Sequence, residues 1–513
     1  MAVTALPAWI APSLQRQEGR DPLGLQTTTQ DRLMPLLLPD ILELSRRARY
    51  ISFYAFLLHE FKEQRLPATR ERLSRFIKTR EYEFGLASLR CPRDCGAAPV
   101  GANRLRPAVR EAPEAYERSE SVESTNGGFG LYYRTPMVAF DLVAPAGTAL
   151  GEDYVTPIDV LSDRPQAGAL AEHFGDAVAG TAYMERYFTT TDPIPAEVID
   201  EYAEVACLCR LDTFPAEREA LADAILTAPS PEDEPEVVQR RSSIAHFLTV
   251  IDHNPEAVEE ETEFRQTLWD PPAAIGDRQR DVADQWAALV AKDLAQDALC
   301  SMWTDFNRRA LAAGGLDGLS GGDLSSVYEQ LCGSAPALPP DASFRAVAPG
   351  VDAPGELEPL RRWVVDMDSA TAGAVALARL VDLVGQRDSA AWQKAGHMGS
   401  SWQPGVLEIA ADVQRLLDGD PTVAEMIERL LRRYVIAAHE RIAYSKLPEF
   451  TFRFRLEPTG LRCYDLDSGR FRLAAIRHEP LTSLTQDLGF WEETGQGPAL
   501  TGRGRELVGE VFG

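Results

Sequence analysis

From Asp277 to Leu311 the apolar residues keep a helical beat without interruption. Val282, Trp286, Leu289, Val290, Leu294, Ala298, Met302 and Phe306 recur three or four apart, so they lie along one face of a single long helix. An apolar stripe of that length must be covered, and the rest of the chain offers mainly helices to cover it. After Pro39, Ile41, Leu44, Ala48, Ile51, Ala55 and Leu58 keep the same spacing, and Ile51–Leu58 is apolar nearly all round, which predicts a central helix. A second helix is expected from Thr69, whose hydroxyl can cap it, to about Glu83. Others are expected near 165–188, 195–210, 215–226, 235–252, 356–368, 370–386, 404–418 and 421–447, the last starting at Pro421 behind Asp420.

Two stretches depart from this pattern. Gly127-Gly128-Phe129-Gly130 precedes Leu131-Tyr132-Tyr133 and the apolar run Met137–Val143, which predicts a short β-hairpin region near 125–145. Thr451-Phe452-Arg453-Phe454-Arg455 alternates strictly, placing arginines on one side of a strand and phenylalanines on the other. Glu457-Pro458-Thr459-Gly460 then reads as a turn into a return strand, Leu461–Tyr464. The expected fold is a mostly α, multidomain protein with a winged-helix-like α+β module at its C-terminus. Its segments are an N-terminal helical domain over 1–110, an irregular region over 111–160 and an acidic helical domain over 161–311. A Gly/Pro-rich linker over 312–355, a helical domain over 356–447 and the module over 448–513 complete it.

With 513 residues, 45% of them hydrophobic, there is ample material for two to four domains. Seven cysteines are too few for a disulfide scaffold, and their odd number suits a reducing interior. No apolar window reaches membrane-spanning length and the opening residues lack a secretory pattern, so the expectation is cytoplasmic, with no membrane partner. The net charge of −26 argues against a protein that coats polyanions over its whole surface, but the charge is unevenly placed. Residues 31–110 carry 16 Lys/Arg against 9 Asp/Glu, residues 431–480 carry 10 against 6, and residues 111–430 hold −34. The stretch from Pro231 to Glu263, with ten carboxylates and two arginines, has Pro-flanked ends that read as solvated linker.

No phosphate-binding loop, nucleophile elbow, dinucleotide fingerprint or His-Glu-x-x-His helix is present, which removes the commonest ATPases, α/β hydrolases and zinc proteases and leaves enzyme status open. Cys91-Pro92-Arg93-Asp94-Cys95-Gly96 looks like half of a zinc knuckle. Cys207 and Cys209 are the second pair by residue type, giving a candidate structural zinc site of Cys91, Cys95, Cys207 and Cys209. Residues two apart on a helix diverge, so the second pair can serve only if the helix ends there. The alternative is four ordinary reduced cysteines. His246 and His253, seven apart beside Asp252, read as a helix surface rather than a metal pair, and Asp465-x-Asp467-Ser468-Gly469 reads as a turn rather than a calcium loop. Near the C-terminus, Arg432, His439 and Lys446 are spaced by seven, with Arg453, Arg455 and Arg462 following. This surface is the candidate contact for nucleic acid or an acidic partner, against the alternative of a half-buried helix with snorkelling cations.

The closing stretch, Leu488-Gly489-Phe490-Trp491 and then Gly497-Pro498-Ala499-Leu500-Thr501-Gly502-Arg503-Gly504-Arg505-Glu506-Leu507-Val508, resembles the end of many prokaryotic winged-helix domains. In those domains a Leu-Gly turn leads through a wing into Leu-Thr-x-x-Gly-x-x-Leu and a final helix. The resemblance implies a threonine cap and a short packing helix, but Glu492 and Glu493 stand where the wing is ordinarily basic. Asp21-Pro22-Leu23-Gly24-Leu25-Gln26, Leu37-Leu38-Pro39 and Arg47–Tyr54, together with His439 and Thr451–Phe454, resemble uncharacterised bacterial proteins of defence-type gene neighbourhoods. That resemblance carries no catalytic residue and implies a subunit of a multi-protein, nucleic-acid-linked system. The expected function is therefore a non-catalytic adaptor or assembly subunit that binds other protein subunits and contacts DNA or RNA. The alternatives are a metal-dependent nuclease, using carboxylates of the acidic middle, and a ligand-sensing regulator.

Overall fold

The computed structural model describes residues 21–93, 95–96, 98–149, 155–272, 275–314, 318–447, 451–464 and 476–513. The chain is 64% helical, and its strands form only two- and three-stranded antiparallel sheets, so the fold is mostly α. It divides into two compact units, each discontinuous in sequence. One comprises Leu38–Val258 with Arg477–Gly513, and the other the residues up to Leu37 with Glu259–Ile476.

In the second of these, the long apolar stripe is realised as a helix, Asp277–Gly314, buried along most of its length. Ala370–Val384, Leu357–Met367, Ala390–Gly396, Gly321–Cys332 and Glu261–Trp269 pack around it. The crossing with Ala370–Val384 is close because position 373 is glycine: a Cβ there would stand 2.6 Å from the Ala298 carbonyl oxygen. The spine also buries charge, and each carboxylate is answered by an arginine from a neighbouring element or turn. Asp293 pairs with Arg265 at 2.6 Å, Asp297 with Arg361 at 2.7 Å, Asp305 with Arg309 at 3.0 Å and Asp284 with Arg387 at 3.0 Å. The alternating segment near 451 forms the expected hairpin, Phe454–Glu457 with Gly460–Cys463, and Leu319–Ser320 pairs with its second strand. Phe452 and Phe454 are buried and Arg453 and Arg455 are not, as the alternation requires.

The other unit is built on Arg49–Glu63, whose residues Ile51–Leu58 are all buried. Pro165–Val178 and Arg70–Leu89 lie against it, and Ala196–Ala206 and Pro215–Leu226 pack on those helices in turn. Aromatic rings fill the space between, with Phe53 and Phe84 stacked at 4.2 Å and Tyr50 tilted against Tyr133 at 5.0 Å. The expected hairpin near 125–145 is instead helical over Phe129–Ala139, and only Val143–Ala144 of this stretch is in a strand. The reason is a buried carboxylate. Glu81 accepts hydrogen bonds from Tyr54 Oη at 2.6 Å, from the backbone N–H groups of Gly128 and Phe129 at 2.9 and 3.2 Å, and from Ser121. The glycines therefore bring backbone donors to Glu81 rather than turning a hairpin, and a Cβ on Gly128 would lie 2.4 Å from Val100.

Within the acidic stretch from Pro231 to Glu263 the helix expected near 235–252 is present as Glu234–His253, anchored by buried Arg240 to Asp40 at 2.7 Å. The Gly/Pro-rich segment over 312–355, expected to hold at most one short helix around Leu324–Leu331, carries the capped helix Gly321–Cys332 against the spine. The closing segment is helix His478–Asp487, hairpin Trp491–Thr494 with Gly497–Leu500, and helix Gly502–Phe512, whose N-cap Thr501 accepts from Gly504 N–H at 3.2 Å. Asp487 accepts from Arg47 Nε and from the Ala48 N–H, both at 2.9 Å, which ties this helix to the start of Arg49–Glu63.

Candidate metal centre and basic surfaces

The four cysteines Cys91, Cys95, Cys207 and Cys209 converge. Their sulfurs lie within 4.8 Å of one another, with Cys91–Cys209, Cys95–Cys207 and Cys207–Cys209 each at 3.6 Å. A disulfide would bring a pair to about 2 Å. Four thiolates at tetrahedral corners about 2.3 Å from a zinc ion would stand about 3.8 Å apart, close to the spacing observed. Cys207 is buried, Cys91 and Cys209 half-buried and Cys95 exposed, so the cluster sits at the edge of its unit.

Two local features build it. Cys91 and Cys95 follow the C-terminus of Arg70–Leu89, and Gly96 supplies a left-handed residue, φ 64°, directly after the second cysteine. On the other side, the helix Ala196–Ala206 ends at Cys207, whose extended backbone, ψ 144°, leads into a tight turn over Leu208–Thr213. The helix ends where the second pair needs it to, so thiols two residues apart can face one point. Cationic side chains hold this helix end. Arg49 Nη1 donates to the carbonyls of Val205 and Cys207 at 2.7 and 2.6 Å, and Arg47 Nη2 to that of Leu208 at 3.1 Å. Arg49 is itself fully buried and paired with Glu217 at 3.1 Å. Arg93 reaches Asp212 at 2.5 Å and so joins the two cysteine segments from outside. Hydrogen bonding from Cys207, then from Cys91 and Cys95, with the Arg210 charge, holds the Cys209 thiol down to about 5, while the same shared bond and burial push Cys207 up. At Cys209 this environment favours thiolate, the form a metal binds.

The residues of the expected C-terminal surface separate. Arg432 is exposed, pairs with Glu428 at 2.7 Å and lies over the Tyr328 ring. His439, seven residues on, is buried instead: its Nδ1–H donates to the Pro22 carbonyl at 3.2 Å and its Nε2 accepts from the Arg453 N–H at 2.9 Å. It is a core residue and not a contact residue. The heptad stripe fails because Leu431–Ile436 is wound as a π-helix, and the extra residue in that turn rotates the following residues away from the Arg432 face. Lys446, half-buried, closes the helix Ala437–Ser445. Arg453, Arg455 and Arg462 share the hairpin. Arg455 and Arg462 stand directly opposite each other, with Arg455 also paired with Glu457 at 2.9 Å. Asp465, Asp467, Ser468 and Gly469 lie outside the described residues.

His246 is likewise in the core and burial pushes it down to about 4, while His253 is exposed, so the two do not form a metal pair. Burial pushes His439 down to about 3. A proton on Nε2 would face the Arg453 N–H, so folding holds the neutral ring. Its contribution is complete above the unfolded value of about 6.5 and is lost as pH falls toward the folded one. Lowering the pH from 7 to 5 should therefore cost about 2 kcal/mol at this residue. Urea midpoints should fall accordingly from pH 7 to pH 5, and His439→Gln should flatten the slope of that dependence. An unchanged slope would refute the assignment.

The carboxylates that a nuclease reading would recruit from the acidic middle, Asp293, Asp297 and Asp305, are the ones held by Arg265, Arg361 and Arg309. Much of the basic N-terminal block is similarly engaged: Arg46 with Glu479, Arg47 with Asp487, Lys78 with Glu120, and Arg90 with Asp200. Sequence reasoning missed Arg47 and Arg49 as anchors of the cysteine centre. Their signal was two arginines placed just before an all-apolar helical run, where a cation needs a specific partner. Comparison with protein-family models, with curated proteins and with solved structures gives no match to this chain.

Proposed function

We propose that the protein is a zinc-stabilised, non-catalytic adaptor or assembly subunit that contacts nucleic acid through the half-buried arginines Arg453, Arg455 and Arg462. The observation that carries the first half is the four-sulfur cluster. All four tetrahedral positions come from the chain, which leaves no open position for substrate or water, the arrangement of a structural site. The nucleic-acid half is supported by the hairpin arginines. Like charges placed directly opposite on adjacent strands repel, and Arg455 faces Arg462, with Arg453 immediately before the first strand. A phosphate backbone laid across them would turn that repulsion into attraction. The exposed Glu492 and Glu493 of the last hairpin argue that polyanion contact, if through the winged-helix-like end, avoids its wing.

Binding of short duplex and single-stranded DNA, measured by fluorescence anisotropy from 50 to 300 mM salt, tests this reading. The expected result is an affinity that falls steeply with salt. The triple charge reversal Arg453→Glu, Arg455→Glu and Arg462→Glu should weaken binding at least tenfold at low salt, roughly the loss expected from removing several phosphate contacts. Absence of binding at 50 mM salt, or a flat salt dependence, would overturn it. Chelator-sensitive cleavage of the DNA in the presence of Mg²⁺ or Mn²⁺ would replace it with the nuclease reading.

A further inference from the structure

We infer that a cleft of about 290 Å³ in the unit Leu38–Val258 with Arg477–Gly513 is a binding site for a phosphate monoester. Arg72, Arg75, Arg80 and Arg118 line it, Thr79 and Thr189–Thr191 supply hydroxyl groups, and among the described residues no carboxylate is in its walls. The sequence separates these residues widely; the fold brings the helix Arg70–Leu89 against the turn that follows Tyr183–Tyr187.

Its inner arginines are fixed before any ligand arrives. Arg80 Nη1 bonds both oxygens of Glu83 at 3.1 and 3.2 Å. Arg118 donates through Nε to the Asp192 carbonyl at 2.8 Å and through Nη2 to the Tyr187 carbonyl at 2.7 Å, and it also pairs with Glu83. Arg80 is nearly buried and its Nη2 also donates to the Phe188 carbonyl, so its guanidinium is held in place beside the cleft. Arg72 has no ion-pair partner among the described residues. Arg75 has only exposed Glu71 at 3.5 Å, so both remain available at the rim. Four arginines against Glu83 and Glu71 leave two positive charges, which match the charge of about −2 that a phosphate monoester carries at neutral pH. Planar guanidinium forks and hydroxyls suit its oxygens, and the low-dielectric walls concentrate the field. Leu66 and Phe76 form an apolar side on which an attached sugar or base can rest. The cleft is near the lower end of the size that holds a small organic ligand.

This site does not depend on the hairpin arginines, and the experiment keeps the two apart. The full-length protein is titrated calorimetrically with adenosine 5′-monophosphate, adenosine and inorganic phosphate, and with a twelve-nucleotide DNA strand bearing a 5′-phosphate or a 5′-hydroxyl. The monophosphate is expected to bind and adenosine not to bind. The double variant Arg72→Ala and Arg75→Ala, both exposed, should keep the parent melting temperature and lose at least tenfold in affinity. The Arg453, Arg455 and Arg462 reversal should leave monophosphate binding unchanged. Binding of the monophosphate and of inorganic phosphate supports a site for a free phosphorylated ligand. Binding confined to the 5′-phosphorylated strand supports a nucleic-acid end as the source. Equal binding of adenosine and its monophosphate, no binding of any phosphorylated probe, or an unaltered affinity in the Arg72/Arg75 variant would overturn the inference.

Discussion

Protein prepared with zinc should carry one equivalent per chain, and Cys207→Ser should abolish it and lower the melting temperature of its unit by roughly 10 °C or more. The magnitude follows from what the metal would connect. Cys95 and Cys207 are 112 residues apart in sequence. Closing a loop of about a hundred residues with a covalent link is worth about 4–5 kcal/mol in chain entropy. In a domain of this size each kcal/mol moves the midpoint by about 2–4 °C. Structural zinc in small peptides contributes more, about 10–16 kcal/mol, because those peptides have no other core. Here the unit also has an aromatic core around Tyr50, Phe53 and Phe84, so a lower melting temperature is expected rather than an unfolded chain. Cysteines Cys300, Cys332 and Cys463 are buried outside the cluster, and their serine variants should keep full zinc. Because the thiols must lose protons to bind, zinc should be released as the pH falls. Elemental analysis with scanning calorimetry, with and without chelator, decides the matter. A chain without zinc whose melting is indifferent to both chelator and Cys207→Ser would return the quartet to ordinary reduced thiols.

Arg49→Met should be the most damaging substitution among the charged residues, at about 3–5 kcal/mol. The two sides of the Arg49–Glu217 pair have no solvent exposure. Removing the cation leaves Glu217 buried with the Ser52 hydroxyl as its donor, and strips the carbonyls of Val205 and Cys207 of their bonds to Nη1. The guanidinium also sits 5.0 Å from the Phe214 ring centroid, packing that a lysine would not reproduce. Replacing both members, Arg49→Met with Glu217→Leu, removes the uncompensated charge and should recover part of the loss. Urea denaturation of the three proteins measures this, and zinc content reports whether the helix end still presents Cys207 and Cys209. A single variant within 1 kcal/mol of the parent would show that the buried pair is not needed.

Much of the architecture was legible because it is local. The stripe from Val282 to Phe306, the largely apolar turn pair Ile51–Leu58 and the alternation at 451–455 each determine an element by periodicity alone. The Thr69 and Thr501 caps are equally local, each hydroxyl accepting from the third residue on. Local signals failed where a distant partner outweighed them. Gly127-Gly128 reads as a hairpin turn until Glu81 is seen to need its backbone donors. The spacing of Arg432 and His439 reads as one stripe until the π-turn between them shifts the phase. No sequence periodicity reports that turn.

The cysteines show the same division within one site. Their number and their pairing at short spacing are sequence facts, and with them the donor chemistry of a thiolate site. Whether the two pairs meet depended on the helix Ala196–Ala206 stopping at Cys207, and that stop is held by Arg47 and Arg49 from a segment more than 150 residues earlier. The charge followed the same rule. Sequence located the basic block at 31–110 and the acidic middle, but only packing decided which arginines were spent on buried carboxylates and which, like Arg72, were left facing solvent. Periodicity and capping act between residues a turn apart, so the chain alone settles its helices. Burial and ion pairing act between residues brought together by the fold, so the sites could be decided only there.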